Sequence, residues 1–362
     1  MDSTVVDKPD IAYQRLYHQG LEPPTFKTPS EVMTSLGAVQ AQDYAGAKWS
    51  VAQRLGPPLT DNALDKAFAD GTILRTHVLR PTWHFVSPED IRWLLKLTAP
   101  RVHAVNAYMY RQLELDEAVF KRSTDAIIGA LAGDRHLTRK ELGAVLEQAG
   151  ITATGQRLAA LMMYAELEAI ICSGSRRGKQ FTYALLEERV PPAKTLTREE
   201  ALAELVRRYF SSRSPATSQD FVWWSGLSIQ DAKVGMEAVK ADFEQATVED
   251  RTYWLSNQGT SVPASQQTAY LLPSFDEYLL SYKDRSASAN EDYAELWAKG
   301  NTFVSPIILN GRTVGCWRRD LKKDSVTLTL HFFRAINQAE RSLIAEAAER
   351  YGTFLEKRVE IS

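Results

Sequence analysis

Cysteine is scarce in this chain: Cys172 and Cys316 are the only two among 362 residues. They form no CxxC pair, and proteins held together by disulfides carry many more cysteines at short spacings. The sequence therefore argues against a disulfide framework, and we expect both thiols to be buried.

Long apolar runs, metal motifs and glycine-rich phosphate loops are missing as well. No stretch approaches the ~18–20 apolar residues of a membrane span, and the opening "MDSTVVDKPD" lacks the apolar core of a signal peptide. The six histidines include no HxH or HExxH pattern, and no GxGxxG or GxxxxGK[ST] follows a strand-like run. We therefore predict a cytoplasmic protein with no metal, no cofactor and no membrane partner.

A large excess of either charge is also absent. The formal net charge is −2 and the isoelectric point is about 6.4. These values argue against a chain that coats nucleic acid by charge alone, so any nucleic-acid surface must be local. A content of 44% hydrophobic and 24% charged residues is typical of a soluble globular protein, and 362 residues predict two to four modules rather than one core.

A recurring order of elements is present. From about residue 116 to 188, "DEAVFKRSTDAIIGALAG", "LTRKELGAVLEQAG" and "TATGQRLAALMMYAELEAI" predict three helices, the second beginning at Thr138 with Glu141 in the capping-box position. The hairpin-like "IICSGSRRGKQFTYALLE" follows, which completes the order of a winged helix-turn-helix. The order recurs at about 197–255 and, more loosely, at the front, with helices near 11–19, 30–40 and 61–70 before "TILRTHVLRPTWHFV".

Past Ser256 the pattern changes to strands, in "TAYLLPSFDEYLL", "FVSPIILNGRTVGCWRR" and "SVTLTLHFF", before a final helix. We predict a mainly α fold with β structure (α+β). Its parts are three tandem winged helix-turn-helix modules, at 1–115, 116–195 and 196–258, and a C-terminal β-rich domain at 259–362.

Two basic clusters predict contacts with the DNA backbone. Arg176, Arg177 and Lys179 lie at the hairpin tip of the second module, and phosphate contacts come mainly from Arg and Lys. A solvated tip or a protein contact is the alternative. Arg318 and Arg319 belong to the second cluster, for which an ordinary solvated strand end is equally favoured.

The stretch "RTHVLRPTWHFV" concentrates cations and aromatic rings in a predicted hairpin. The residues concerned are Arg75, His77, Arg80, Trp83 and His84. An aromatic ring among cations suits stacking on a base or wedging beside it. A core interpretation remains open for alternate positions, and both histidines also fit a structural role.

The stretch "QAQDYAG" places two amides, Gln40 and Gln42, on either side of one alanine. Residues two apart point in nearly opposite directions on a helix, whereas in extended or looped backbone they share a side. Asp43 and Gly46 favour a helix end here, so we expect both amides to face one cleft. Spacing alone favours a helix end over a catalytic site.

Four segments resemble the AlkZ/YcaQ superfamily of bacterial winged-helix DNA glycosylases: "LGAVQAQD", "RTHVLRPTWHFVSPEDIRWLL", "LLPSFDEYLLSYKDR" and "GRTVGCWRR". The similarity covers nearly the whole chain. It implies a C-shaped protein around the duplex that excises N-alkylated purines and unhooks interstrand crosslinks. Residues 40–42 match the family's Gln-x-Gln or Gln-x-Asp motif, and residues 77–84 match a hairpin that approaches the lesion. The chain has Arg80-Pro81-Thr82 where the family has Arg-Gly-Thr, and Pro81 stiffens that turn.

The resemblance predicts a monofunctional DNA glycosylase that acts on double-stranded DNA carrying alkylated bases, as a nucleoid-associated monomer with no obligatory protein partner. A purine alkylated at N7 or N3 is cationic and departs without a general acid, so a water molecule held near C1′ is the main requirement. We assign Gln40 and Gln42 to that water, with Asp43 as a tuning or capping residue and a rival base.

Two further residues, Lys48 and Thr82, join the predicted DNA contacts. Lys48 is the first lysine after the motif, and its distance from the motif argues against a Schiff-base lyase step. The alternative function is a non-catalytic winged-helix DNA-binding protein, either a regulator or a resistance protein that sequesters DNA or drug.

Overall fold

The computed structural model describes residues 8–193, 195–248, 250–257, 267–299 and 304–362. The predicted boundary between residues 258 and 259 lies outside these ranges. Within them, no helix is both long enough and apolar enough to cross a membrane. Both cysteines are free; Cys172 is buried as predicted, whereas Cys316 is only half-buried.

The N-terminal unit follows helix α1 (Lys8–His18) and has the order helix, strand, helix, helix, strand, strand. Its elements are α2 (Pro29–Leu36), β1 (Val39–Gln40), α3 (Tyr44–Ala52), α4 (Asp61–Ala69), β2 (Leu74–His77) and β3 (Trp83–Val86). The strands form an antiparallel sheet in the order β1-β3-β2. Thr28 starts α2 by accepting a hydrogen bond from the Glu31 backbone nitrogen at 3.2 Å.

Two sequence predictions for this unit were wrong. Helix α2 ends at Leu36, so Gln40 lies in a strand and not at a fraying helix end. Gly37 follows α2 with φ of 73°, a conformation that stops a helix and favours glycine. Helix α3 was not predicted, and it begins directly after Asp43.

The second unit follows the long helix α5 (Ile91–Gln112) and repeats the same order of elements. It contains α6 (Glu117–Leu131), β4 (Leu137–Thr138), α7 (Arg139–Gln148), α8 (Gly155–Leu167), β5 (Ile171–Ser173) and β6 (Thr182–Leu185), followed by the short α9 (Leu186–Arg189). Thr138 and Glu141 form the predicted capping box. The three strands again form an antiparallel sheet, in the order β4-β6-β5.

The third unit has three helices and a hairpin. They are α10 (Arg198–Ser212), α11 (Ser218–Ser225), α12 (Ile229–Val239), β7 (Phe243–Val248) and β8 (Arg251–Ser256). Each helix begins with a capping box, at Thr197, Thr217 and Ser228. A single antiparallel bridge from Ala216 to Trp254 takes the place of the first short strand of the other two units.

The C-terminal part is built on a five-stranded sheet in the order β13-β12-β11-β10-β9. Its elements are β9 (Ala269–Leu271), α13 (Glu277–Leu280), α14 (Glu291–Ala298), β10 (Ser305–Leu309), β11 (Arg312–Leu321), β12 (Ser325–Phe332), α15 (Gln338–Leu355) and β13 (Arg358–Ile361). Asn310 and Gly311 have φ of 50° and 80° and form the predicted turn between β10 and β11.

One predicted strand in this part is mostly not a strand. Only three residues of "TAYLLPSFDEYLL" form β9, and the rest leads into α13. Asp276 starts that helical turn by accepting a hydrogen bond from the Tyr278 backbone nitrogen at 2.8 Å.

The N-terminal unit shares its core with two neighbours. Its hairpin residues Val78 and Leu79 belong to the same buried cluster as Tyr209 and Trp224 of the third unit. On another side, Trp49 of α3 joins the buried cluster of the C-terminal sheet and α15. The fold thus combines helices with small sheets, and the segment carrying the two glutamines lies where the three parts meet.

Candidate functional site at the Gln40 strand

Gln40 is held at both its backbone and its side chain. It pairs with His84 across β1 and β3, and it is 6% exposed. Its backbone nitrogen donates to Glu277 Oε1 at 2.9 Å, which closes the outer edge of β1. Its side-chain oxygen Oε1 accepts a hydrogen bond from Arg80 Nη2 at 2.9 Å. The side chain therefore has one defined partner and one defined orientation.

Glu277 is a fully buried carboxylate beneath this strand. Its Oε2 atom accepts from Arg213 Nη2 at 2.9 Å, Trp224 Nε1 at 2.9 Å and Ser281 Oγ at 2.6 Å. Burial by itself would raise the pKa of this carboxyl, but the charge of Arg213 and the hydrogen bonds from Ser281 and Gln40 hold the pKa down to about 2. Glu277 therefore stays ionised and links the strand to the third unit.

Gln42 and Asp43 lie between β1 and α3. Gln42 is exposed and Asp43 is half-buried. Asp43 occupies the N-cap position of α3, yet its side chain makes no capping hydrogen bond, so its predicted capping role was wrong. Arg319 Nη2 lies 3.8 Å from Asp43 Oδ2. A side chain at Gly46 would place a Cβ atom 2.6 Å from that same oxygen, so a larger residue would displace the carboxylate from this position.

The two amides do not have equal access to solvent. Gln40 is nearly enclosed, whereas Gln42 is exposed. The sequence predicted a frayed helix end here, but Gln40 lies in strand β1 and Gln42 follows it. The two amides therefore differ in their exposure to solvent. Together with the Asp43 carboxylate, this short segment offers a fixed amide, an exposed amide and a carboxylate that makes no capping bond.

The hairpin of β2 and β3 turns three predicted DNA contacts inward. Arg75 donates from Nε to the Ala41 carbonyl oxygen at 3.0 Å, and burial lowers its pKa to about 10. His77 Nδ1 lies 2.5 Å from Glu166 Oε2 in a buried pair. His84 is fully buried, and its Nδ1 donates to the Thr82 carbonyl oxygen at 3.0 Å. These residues join parts of the protein and are not presented to a duplex in this structure.

Trp83 and Thr82 lie at the partly covered end of this hairpin, and both are half-buried. The Trp83 ring contacts the Arg75 guanidinium at 4.3 Å and the His77 ring at 4.3 Å. Part of its aromatic surface is therefore already used within the protein. The Thr82 hydroxyl is buried and has no hydrogen-bond partner among the described residues.

Lys48, another predicted DNA contact, is also turned inward. It is 4% exposed, and its Nζ atom lies 2.7 Å from Asp61 Oδ1 and 3.0 Å from Asp65 Oδ1. A lysine that is buried between two carboxylates does not meet a phosphate at the surface. In this structure Lys48 is therefore bound within the protein and is not presented to a duplex.

The tip of the β5–β6 hairpin keeps some of its cations at the surface. Arg177 is exposed and donates to Glu141 Oε1 at 2.7 Å, and Lys179 is exposed. Arg176 is half-buried, lies 3.5 Å from Asp65 Oδ1 and covers the Tyr44 ring at 4.9 Å. The charge of this tip is therefore partly neutralised by the protein itself.

The second basic cluster divides in the same way. Arg318 is exposed, whereas Arg319 is half-buried and donates from Nη1 to the Tyr351 hydroxyl at 2.6 Å. Alternating residues of a strand point to opposite faces, which accounts for the difference between these neighbours. Arg319 faces Asp43, and Arg318 faces solvent.

Metal-binding side chains do not cluster in the part of the chain that the structure describes. No group of three or more His, Cys, Asp or Glu side chains there is arranged to hold a metal ion. The charged groups around Gln40 are instead bound to one another.

Comparison with known proteins gives the family. Residues 33–354 match the family described as "DNA glycosylase AlkZ-like". The chain belongs to this family. The resemblance carried by the four sequence segments is thereby confirmed.

One relative and one solved structure, both from Streptomyces sahachiroi, show how similar this chain is to members of the AlkZ-like family. An "Interstrand DNA cross-link repair glycosylase" is 25% identical over 321 residues, which cover 84% of this chain and 85% of the relative. The solved structure of "DNA glycosylase AlkZ" superimposes with a TM-score of 0.80 at 21% identity, covering 99% of this chain and 100% of that chain. The second similarity is one of fold.

In this AlkZ-like protein, sequence reasoning missed Glu277 and Glu166. Glu277 lies 237 residues from Gln40, and Glu166 lies 89 residues from His77. No periodic pattern in a sequence indicates which residue a buried carboxylate will contact. The only available signal was that "SFDEYLL" belongs to a segment resembling the family.

Proposed function

We propose that the protein is a monofunctional DNA glycosylase that hydrolyses the N-glycosidic bond of purines alkylated at N7 or N3. Family membership supports glycosylase chemistry. The relative named for interstrand DNA cross-link repair supports an extension to bulky adducts and crosslinks. A bulky lesion is a poor substrate for a closed base pocket, and a site on the exposed segment after β1 suits it better.

The proposed DNA surface follows from the repeated order of elements. The three units fit winged helix-turn-helix modules, at about 1–115, 116–195 and 196–258, with a C-terminal β-rich domain from about 259 to 362. We assign phosphate contacts to the exposed cations Arg177, Lys179 and Arg318, with Arg176 beside them. The protein would act as a nucleoid-associated monomer on double-stranded DNA.

The observation that carries the proposal is the placement of Gln42 and Asp43. Both residues follow strand β1, which is fixed by its hydrogen bond to Glu277. Gln42 is exposed, and the Asp43 carboxylate makes no capping hydrogen bond. An amide oxygen and a carboxylate both accept hydrogen bonds from water. A water held there attacks C1′ as the cationic base departs, and no Schiff base is formed. The buried Lys48 gives no amine for a lyase step.

A single-turnover assay with duplex containing N7-methylguanine tests the proposal. The wild type should release free 7-methylguanine and leave an abasic site. Replacement of Gln42 and Asp43 by Ala and Asn should slow release about 100-fold, since removal of one well-placed polar group at a reacting centre typically costs ~100–1,000-fold. Gln338→Ala, an exposed glutamine at the start of α15, is the matched control.

The two candidate functions give different results in this assay. Duplex binding by the wild type without release of any base would favour the non-catalytic DNA-binding alternative. Release that is unaffected by the double replacement would reject this assignment of the site.

A further inference from the structure

The orientation of the Gln40 amide is fixed by chemistry. The oxygen and the nitrogen of a glutamine side chain are told apart by their hydrogen-bond partners. Here the partner is Arg80, which has only donors. The Gln40 atom at 2.9 Å from Arg80 Nη2 must therefore be the carbonyl oxygen. The amino group, Nε2, points away from Arg80.

The amino group of Gln40 is the end that remains available. Nε2 donates to no described group, and it is not among the side-chain atoms that are both buried and without a partner. Solvent therefore reaches it, although the residue as a whole is only 6% exposed. Gln40 thus offers a donor at the site, while its main acceptor is occupied.

Arg80 is itself held in place by the hairpin. Its backbone nitrogen donates to the Val78 carbonyl oxygen at 2.7 Å. The tip packs against the end of α11, where a Cβ atom on Gly226 would lie 2.8 Å from the Leu79 carbonyl oxygen and 3.2 Å from Arg80 Cγ. Burial lowers the pKa of Arg80, and the nearby Glu277 carboxylate acts in the opposite direction. The guanidinium therefore has little freedom to release the amide.

We propose that Gln40 is a hydrogen-bond donor to the departing purine, and that Arg80 is the positioning residue that aims it. This inference rests on the proposed function and assigns separate roles to the residues of the site. Gln40 acts on the base, while Gln42 and Asp43 hold and deprotonate water. In this division of roles the Gln40 amide does not hold the water, in contrast to the role predicted from the sequence.

The electron balance of the reaction favours this division. The bond between C1′ and N9 breaks, and its electron pair goes to the base, which leaves neutral because it began as a cation. Water oxygen bonds to C1′, and its proton passes to the Asp43 carboxylate. Acceptor atoms of the purine gain electron density, whereas the sugar oxygen loses it. A donor stabilises the transition state more than the ground state only when it faces the base.

Gln40→Glu separates a donor role from an acceptor role. The replacement keeps an oxygen for Arg80 and the shape of the side chain, but it exchanges the amino group for an oxygen. Release of 7-methylguanine in a single turnover should fall about 100-fold, with duplex binding unchanged. Release at the wild-type rate or faster would overturn the inference, because an acceptor for water would then suffice.

Arg80→Gln tests the positioning role by a double-mutant cycle. Loss of the guanidinium lets the amide rotate, so release should fall about 10-fold in Arg80→Gln. The double variant with Gln40→Ala should be no slower than Gln40→Ala alone, since Arg80 acts through that amide. Additive losses would contradict a positioning role. Arg334→Gln, which removes a surface pair with Glu340, is the control.

These measurements separate the inference from the proposed function. A wild type that releases no base defeats the proposed function itself. A wild type that is active, with Gln40→Glu equally active, defeats only the donor role. Should Gln40→Glu fail to fold, the cycle through Arg80→Gln and Gln40→Ala still tests whether Arg80 acts through the Gln40 amide, and additive losses would overturn that part of the inference.

Discussion

At the scale of single residues, Glu277 is the group on which most hydrogen bonds around the site converge. Its two oxygens accept from the Gln40 backbone and from Arg213, Trp224 and Ser281. Arg213 and Glu277 are both fully buried. Removing one charge of a buried pair leaves the other without compensation, which costs more than the pair itself contributes.

Glu277→Gln should therefore destabilise the protein strongly. We expect the free energy of unfolding to fall by about 3–5 kcal/mol, because the buried Arg213 charge would lose its partner. Urea unfolding followed by circular dichroism measures this loss. Glu187→Gln removes a carboxylate that is 82% exposed and paired with Arg92, and it should change the stability by less than ~1 kcal/mol. Equal losses in the two variants would contradict the view of Glu277 as a buried anchor.

His84 makes stability depend on pH in a definite direction. Burial lowers its pKa from 6.5 to about 3. In the unfolded chain His84 is therefore protonated below pH 6.5, whereas in the folded chain it is protonated only below about pH 3. The contribution of neutral His84 to the free energy of unfolding is fully present above pH 6.5. It is lost as pH falls from 6.5 to about 3, at about 1.4 kcal/mol per pH unit. His18, whose pKa burial lowers to about 4, acts in the same direction.

Replacement of His84 tests that pH dependence. In His84→Phe the slope of unfolding free energy between pH 6 and 4 should decrease relative to the wild type. Urea midpoints measured at several pH values within this range give the slope. An unchanged slope would mean that His84 is not a source of the acid sensitivity.

At the scale of elements, the sequence predicted the amphipathic helices well and missed α3. Helices α7, α10 and α12 each have one buried stripe and a capping box. Helix α3 is buried on nearly every side, so it shows no apolar stripe of the kind that predicts a helix. Its polar residues Lys48 and Ser50 are buried as well, because Asp61, Asp65 and Asp276 bind them.

The candidate site was predictable only in part, for the same reason. The Gln40–Gln42 motif and the hairpin could be found from their resemblance to a family. The contacts that fix them could not, since Glu277 and Gln40 meet only through the fold. The sequence also could not tell that Arg75, His77 and His84 point inward, because cations and rings occur both at DNA surfaces and in buried pairs.

The hairpin turn offers a prediction of its own. Pro81 is exposed and directly follows Arg80, so its ring restricts the backbone of the turn from which the Arg80 side chain projects. Pro81→Gly should lower the free energy of unfolding by about 0.4–1 kcal/mol, because glycine gives the unfolded chain more freedom. It should also slow base release several-fold, since the guanidinium that orients Gln40 becomes less fixed.

Pro57→Gly is the matched control for that turn. Pro57 is exposed in the loop between α3 and α4 and lies outside the hairpin. A similar loss of stability with an unchanged rate of release is expected. If both variants slowed release equally, the effect would arise from general loosening and not from the hairpin.

At the scale of the whole molecule, the site depends on three parts of the chain at once. The strand carrying Gln40 comes from the N-terminal unit, Arg213 and Trp224 come from the third unit, and Glu277 comes from the C-terminal part. The surface cations that would bind DNA lie on other elements, at the β5–β6 tip and on β11. Binding and chemistry are therefore separable by mutation.

The salt dependence of duplex binding measures how many cations contact phosphate. The logarithm of the association constant falls with the logarithm of salt concentration by about 0.9 per phosphate neutralised. Because the net charge is only −2, a steep slope must come from local cations. Lys179 and Arg318 are exposed and form no ion pair within the described residues. Replacing both by Gln should reduce the steepness of the slope by about 2.

Lys48→Gln should leave the salt dependence of duplex binding unchanged in the same titration. Lys48 is 4% exposed and its ammonium group is bound by Asp61 and Asp65, so it neutralises no phosphate and releases no counterion from the DNA. The slope of this variant should equal that of the wild type, measured by fluorescence anisotropy between 50 and 200 mM salt. A reduced slope in Lys48→Gln, or an unchanged slope in the double variant, would place the duplex on a different face of the molecule.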